Sequence, residues 1–262
     1  MTSDVTPRLN ETTWLWLSRL AFFVIFLGIW ELLFRLDLWP DYIFPAPSEV
    51  LAALTRGFSN GTFWIGILGS MRRLVEGYLI ALAIGLSLGV LMAQWQWFKN
   101  TFGMLALGLQ TLPSISWLPL ALLWFGLNER AILFVIVMGA VLSIAQATED
   151  GIRNTAPIYM RAARNLGARG WRLYLLVVLP SALPSIVTGM KLGWSFAWRS
   201  LMAGELLYTL PGLGNLLSMG RELNDMSQVI AVMLVIIALG VIGDQLLFGI
   251  VERRIRERWG LS

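Results

Sequence analysis

An all-α protein built into a lipid bilayer is what this sequence predicts, on three observations. Hydrophobic residues make up 57% and charged residues 14% of the 262 positions, whereas about a quarter of the residues of a water-soluble domain are charged. Mean hydropathy is +0.69. About six windows are long and apolar enough to cross the hydrocarbon core, which takes about 20 residues of helix. They are 14–36, 76–97, 101–125, 131–147, 182–208 and 228–251, and the whole chain, 1–262, reads as one transmembrane domain.

Taken in order, the chain opens with a polar stretch, Met1 to Thr13, expected to be mobile. The first window carries Arg19 and Glu31, begins late and lacks a small-residue cleavage site, so it reads as a retained anchor and not a removed signal peptide. Pro40, Pro45 and Pro47 then extend the backbone, and Ser48 is placed to cap a short helix beginning near Glu49. The stretch from Thr62 to Arg73 suits an amphipathic helix lying in the interface, with Arg72 and Arg73 reaching headgroups. Gly85 and Gly89 in the second window form a small-xxx-small pair that lets a neighbouring helix approach closely.

The third window is less regular. Pro113 and Pro119 fall inside it, with the polar residues Gln110, Thr111, Ser114 and Ser116 between or beside them. Proline removes a backbone donor, and the freed carbonyls are tolerated at membrane depth only against protein or a wet cavity. The segment therefore reads either as a broken helix lining a solute path or as a kink satisfied by its own serines.

In the fifth window the ionisable groups matter, because a charge at bilayer depth costs about 2.5–3.5 kcal/mol on insertion scales. Lys191, Ser195 and Arg199 lie on one slowly drifting stripe, and Trp194, Trp198 and Glu205 share the adjacent face, which is expected to look inward. Arg199 and Glu205 stand about 120° apart on the wheel, so each needs a partner elsewhere. Arg199 either offers positive potential to an anion or belongs to a structural ion pair. Asp244 and Glu31 lie nearer window ends, where their charge is less costly. Between the fifth and sixth windows, Pro211, Gly212 and Gly214 open a turn-rich, then mildly amphipathic segment that reads either as an external loop touching a partner or closing the pathway, or as a plain connector.

A net charge of +4 does not point to nucleic acid, because the basic residues cluster beside the windows. Arg153, Arg161, Arg164, Arg169 and Arg172 occupy one loop, 153–180, and Arg253, Arg254, Arg256 and Arg258 follow the last window. Positive charge marks the cytoplasmic side. Six crossings then put this loop and both termini in the cytoplasm. With no cysteine and no histidine, disulfides, thiol nucleophiles, histidine bases and most zinc, haem and iron–sulfur ligand sets are excluded. No carboxylate pair has catalytic spacing and no phosphate-binding G-x-x-x-x-G-K-[ST] loop is present. If ATP is used, another chain hydrolyses it.

The loop 153–180 holds the most informative segment. From Pro157 the residues favour helix up to Leu166, and Gly167 is placed to end it in a left-handed conformation. Ile158, Ala162 and Leu166 make a narrow apolar stripe with Tyr159 and Ala163 at its margin. So short a helix needs a surface to dock on.

Arg161-Ala162-Ala163, three residues, Gly167, nine residues and Val177-Val178-Leu179-Pro180 resemble the E-A-A-x3-G-x9-I-x-L-P signature of permease subunits in ABC importers. FPAPSEVLAAL at Phe44, LPLALLWFGLNE at Leu118, TGMKLG at Thr188 and AGELL at Ala203 are similar to the nitrate, sulfonate and taurine branch of that family. Arg161 stands where the family has glutamate, and Val177 where it has isoleucine, a small change in volume. The resemblance implies the type I importer permease fold and a non-catalytic chain in the bacterial inner membrane. It implies a coupling helix, Tyr159, Met160, Arg161, Ala162, Ala163, Leu166 and Gly167, seated in a cytoplasmic ATPase. Its further expectations are a second permease subunit, two ATPase subunits that bind the ATP and Mg, and a periplasmic or lipid-anchored binding protein. This chain itself would hold no cofactor. The solute path is expected to use Gln110, Thr111, Ser114, Ser116, Trp194, Ser195, Trp198, Arg199 and Glu205 for a small anionic solute of nitrate, sulfonate, taurine or bicarbonate type. The alternative is an ion-coupled secondary transporter or a membrane scaffold; the former usually needs midplane carboxylates and internal repeats.

Overall fold

Glycines spaced along three long helices let their backbones lie nearly in contact, and the rest of the chain is arranged around that packing. The computed structural model describes residues 11–38, 40 and 42–259; the first ten residues of the expected mobile stretch lie outside them. In chain order the helices are α1 (Glu11–Arg35), α2 (Pro47–Ser59), α3 (Thr62–Gln94), α4 (Gln96–Phe98), α5 (Met104–Gln110), α6 (Leu118–Phe125) and α7 (Glu129–Arg153). They continue with α8 (Pro157–Asn165), α9 (Trp171–Leu173), α10 (Leu179–Glu205), α11 (Leu213–Glu222), α12 (Met226–Asp244) and α13 (Ile250–Trp259). Turns of π-helix over Lys99–Gly103, Tyr174–Val178 and Gln245–Gly249 join neighbouring helices, and a 3-10 turn over Ser114–Trp117 leads into α6.

α7 is the axis of the fold. A side chain at Gly77, Gly85 or Gly89 of α3 would strike Ile136, Ile144 or Thr148 in that order, so α3 and α7 run parallel. Gly193 and Gly204 of α10 face Ile144 and Ile132 in the reverse order, so α10 runs antiparallel to both. Leu74, Ile132, Ile136, Ile144 and Leu201 are fully buried along these seams. The close approach expected at Gly85 and Gly89 is thus present. A Cβ at Gly89 would stand 2.5 Å from the Thr148 Cβ and 2.6 Å from the Ala145 carbonyl oxygen. Gly89→Leu is accordingly expected to destabilise the chain by about 1–3 kcal/mol or more through overpacking, read as a lower thermal midpoint of the purified protein in detergent.

Among the described residues five helices are long and apolar enough to cross a membrane: Thr13–Arg35, Thr62–Gln94, Glu129–Arg153, Trp171–Glu205 and Met226–Arg254. A sixth crossing is the pair Gln96–Gln110 and Ser114–Phe125, bent by 105° at its break. The proline-bearing third window is therefore a broken helix. Gly240 and Gly243 of α12 abut Trp198 and Trp194 of α10, which sets α12 antiparallel to α10 and brings α13 to the end of the molecule that holds 153–180. α1 is held at its C-terminal end, where the Trp30 Nε1–H donates to the Pro45 carbonyl at 3.0 Å. The apolar window along its length is unburied.

Four expectations are corrected. The stretch 62–73 is no separate interfacial helix but the first third of α3, a single helix of 33 residues. Arg73 does not reach for headgroups and is buried at 3% exposure. The helical run that carries the fifth window starts at Trp171, eleven residues before the expected 182, because the π turn carries α9 into α10 without a break. α2 is capped not by Ser48 but by Glu49, whose carboxylate accepts from the Ala46 N–H at 3.2 Å. The connector after Gly212 folds as α11 and packs through Leu213 and Leu216 against α2 and α12.

Candidate functional site

Two places in the fold collect the residues singled out from sequence. At the first, Pro157 starts α8 at a position where a missing N–H costs nothing. Gly167 ends it at φ +85°, in the left-handed region. The Ala168 N–H donates to the Ala163 carbonyl at 2.9 Å and the Gly167 N–H to the Arg164 carbonyl at 3.0 Å, the two bonds of a Schellman cap. The cap makes α8 a firm single unit. Two turns later the chain enters α9, the π turn and α10, so α8 is joined to a crossing by a short, structured link.

The faces of α8 differ from the expected arrangement in one respect. Ala163 is buried at 8% exposure against its own chain, while Ala162 and Arg161 are exposed. Ile158, Tyr159 and Leu166 are 68%, 52% and 89% exposed, so the apolar stripe points away from the molecule. Met160 is half-buried. The physical reason is that α8 folds back on the segment after it, and Ala163 is the small residue that permits the approach.

At the second place the break between α5 and α6 leaves a cavity of about 320 Å³ against α7 and α10. Gln110, Thr111, Ser114, Ser143 and Arg199 supply its polar lining, and Leu109, Leu112, Trp117, Met138, Leu142 and Phe196 much of its apolar wall. The Gln110 amide donates to the Ser143 hydroxyl at 3.1 Å, joining α5 to α7 across the floor. The Arg199 guanidinium stands 5.3 Å from the centroid of the Phe196 ring. Among the described residues no carboxylate lies within 4 Å of Arg199.

Ser116, Trp194, Ser195, Trp198 and Glu205 do not line this cavity. Ser116 is exposed in the 3-10 turn. Trp194 packs edge-on against Tyr78 in the core with ring centroids 5.1 Å apart, and the Ser195 hydroxyl donates to the Lys191 carbonyl at 3.2 Å. Trp198 meets Gly240 of α12. Glu205 is wholly buried and accepts from Arg73 Nη1 at 2.7 Å, Ser70 Oγ at 2.6 Å and the Gly214 N–H at 3.0 Å. Arg73 also donates to the Pro211 carbonyl at 2.9 Å, and its Nε stands 3.3 Å from Glu129. Ser70 Oγ in turn accepts from the Leu213 N–H at 2.8 Å. This network pins α3, α7, α10 and the start of α11 together; the sequence showed Arg73 and Glu205 separately, with nothing to connect them across 132 residues.

The remaining ions are likewise placed. Lys191 lies 3.2 Å from Glu252 and 3.5 Å from Asp244, and Lys99 and Arg153 bracket Glu149 at 2.7 Å and 3.4 Å. Glu31 pairs with Arg35 one turn on at 2.8 Å. Tyr208 is buried, and its hydroxyl makes a long donation, 3.5 Å, to the Gly126 carbonyl beside α6. No group of three or more acidic residues that could hold a metal occurs among the described residues.

Residues 81–257 match the family described as binding-protein-dependent transport system inner membrane component. A putative ABC transporter permease protein of Methanocaldococcus jannaschii is 33% identical over 83% of each chain. The taurine transport system permease protein TauC of Escherichia coli is 27% identical over 80% of each chain. The bicarbonate transport system permease protein CmpB of Synechococcus elongatus is 31% identical over 72% of this chain and 68% of its own. Among solved structures, an inward-facing MetNI methionine ABC transporter chain superposes with a TM-score of 0.64 at 18% identity, over 74% of this chain and 96% of its own, a likeness of fold.

Proposed function

The chain belongs to the family of binding-protein-dependent transport system inner membrane components, and on that premise we propose that this ABC importer permease carries a small anion along a path enclosed by two copies of itself. It is a non-catalytic inner-membrane subunit, and ATP is hydrolysed by a separate subunit. The family works with an ATPase and a substrate-binding protein; our reading is two permeases with two ATPases, the 153–180 loop and both termini in the cytoplasm, and the binding protein at the opposite face.

The observation that carries this reading is the build of α8: a firmly capped helix whose apolar stripe, Ile158 and Leu166, faces away from its own chain and whose other end leads within a few residues into a crossing. A rigid element with an unused apolar face, tied to a bistable bundle, is what transmits closure of one subunit to another. Two further observations support the rest. The unburied length of α1 leaves surface for a second copy. TauC and CmpB are named for taurine and bicarbonate, which fits a small, negatively charged cargo.

Because the chain has no cysteine, one placed at Leu166 gives a clean probe. Leu166→Cys is expected to cross-link to the ATPase subunit in native membranes, with a yield that changes when ATP is added. Cross-linking confined to lipid or to another copy of the permease would remove α8 from the ATPase contact.

A further inference from the structure

We propose that each copy of the chain carries its own seat for a small oxyanion, in the cavity at the α5–α6 break, with Arg199 as its positive group and Gln110 and Ser143 as its neutral partners. The proposal rests on the importer reading above and deepens it: the seat lies within one protomer, so a two-copy transporter has two.

Charge accounting leads there. The other cations of α3 and α10 each have an acid within 4 Å: Glu76 and Glu129 for Arg72, Glu129 and Glu205 for Arg73, and Asp244 and Glu252 for Lys191. Arg199 has none among the described residues, although it sits six residues, roughly 9 Å at 1.5 Å per residue, inside the end of α10. None of the residues lining the cavity is acidic. A positive cavity at membrane depth with no internal counter-charge is completed by an anion from outside.

The donor set then narrows the class. A guanidinium offers paired N–H groups in a fixed fork that fits two oxygens of one carboxylate, nitrate, sulfonate or bicarbonate group. Ser143 Oγ already accepts from Gln110 at 3.1 Å, which leaves its own proton to be donated. Trp117 and Phe196 give the apolar wall room for a short organic tail. The occupant is therefore an oxyanion bearing at most a small substituent.

The seat is also mechanically placed. Helical structure runs without a break from Trp171 to Glu205, so displacement of the α8 end shifts Arg199. The opposite wall is the segment at Thr111 to Pro113, where the helix pair bends by 105°. Motion of one wall against the other opens or tightens the seat during the cycle.

The test uses the purified transporter, permease with its ATPase, in lipid nanodiscs at constant ionic strength. Methanesulfonate and nitrate are titrated, with dimethyl sulfone as the uncharged control, and the thermal midpoint is followed. Both anions should raise the midpoint of the unmodified protein and dimethyl sulfone should not. Arg199→Gln should abolish the rise, whereas Arg199→Lys should keep it with about tenfold weaker apparent affinity, since charge stays and the fork is lost. Gln110→Leu and Ser143→Ala, which leave the charge untouched, should each weaken it several-fold, a check that survives if Arg199→Gln folds poorly. An equal rise in Arg199→Gln and the unmodified protein overturns the seat. So does dissociation of the two-copy complex in Arg199→Gln, which would assign the arginine to a pair with the neighbouring copy. If the anions have no effect while the ATPase still co-purifies, the seat fails and the importer reading stands; absence of the ATPase from the unmodified preparation is the separate failure of that reading.

Discussion

Leu166→Asp is expected to weaken the permease–ATPase association by at least about tenfold while the permease itself stays folded. Leu166 is 89% exposed, so its replacement leaves the intramolecular core intact. In the assembled transporter the same side chain would be covered. Burying a leucine contributes about 1.5–3 kcal/mol, and a carboxylate placed in the same contact adds an unpaired buried charge. Each 1.4 kcal/mol is tenfold in affinity. Ala163→Asp makes the informative contrast. Ala163 is buried against its own chain, so aspartate there is expected to lower the stability of the isolated permease as well as the association. Thermal midpoints of the two variants in detergent, measured beside their recovery of ATPase, separate the two effects. Equal recovery of ATPase by Leu166→Asp and the unmodified chain would mean that α8 is not the docking helix.

Arg73→Met should be among the most destabilising single changes in the chain, costing about 3–5 kcal/mol, the range for breaking a buried ion pair from one side. It leaves the Glu205 carboxylate, at 0% exposure, with the Ser70 hydroxyl and the Gly214 N–H as its remaining partners. It also frees the Pro211 carbonyl, so the turn before α11 loses one of its ties to α3 and keeps the bond from the Leu213 N–H to Ser70. Adding Glu205→Leu removes the stranded anion, and the double variant is expected to recover part of the lost stability. Such partial rescue is the signature of a charge penalty. No rescue would show instead that packing around Arg73, and not its charge, holds these helices together. Glu205→Gln should also destabilise, because its one carbonyl oxygen can keep the bonds from Ser70 and Gly214 only by turning its NH2 group, a donor, toward the Arg73 guanidinium, which cannot accept.

The contrast between these two residues and α8 shows how far the sequence can be read. Apolar windows of crossing length stand out because lipid demands a local, contiguous signal, and the five long helices and the bent pair follow it. The broken crossing is local too, since Pro113 removes a donor wherever it sits. Gly167 is readable for the same reason: a glycine after a run of helix formers ends the helix, and its φ of +85° is the conformation that this ending needs. Gly85 and Gly89 announce a close approach, though not that α7 is what approaches.

What stayed hidden depends on partners distant in sequence. Arg72 and Arg73 look like the end of an interfacial helix because charges usually stay out of a crossing. Only Glu129 and Glu205, 56 and 132 residues from Arg73, let α3 run through them. Glu205 looked like a path residue for the same reason. Within α8, the sequence indicates an apolar stripe but not that Ala163 turns inward, which is decided by how the chain folds back after Gly167. Of the nine residues expected along the path, the fold brings Gln110, Thr111, Ser114 and Arg199 together at one cavity, because the break at Thr111 to Pro113 faces α10.

ATP-driven carriage of a small anion by this permease is open to a direct uptake assay. The chain is reconstituted in proteoliposomes with its ATPase and binding protein, and accumulation of a labelled sulfonate is followed. The account predicts accumulation that requires hydrolysable ATP on the ATPase side and continues when a protonophore collapses the ion gradient. Uptake that proceeds without ATP and stops with the protonophore would contradict it, and would identify the chain as an ion-coupled carrier.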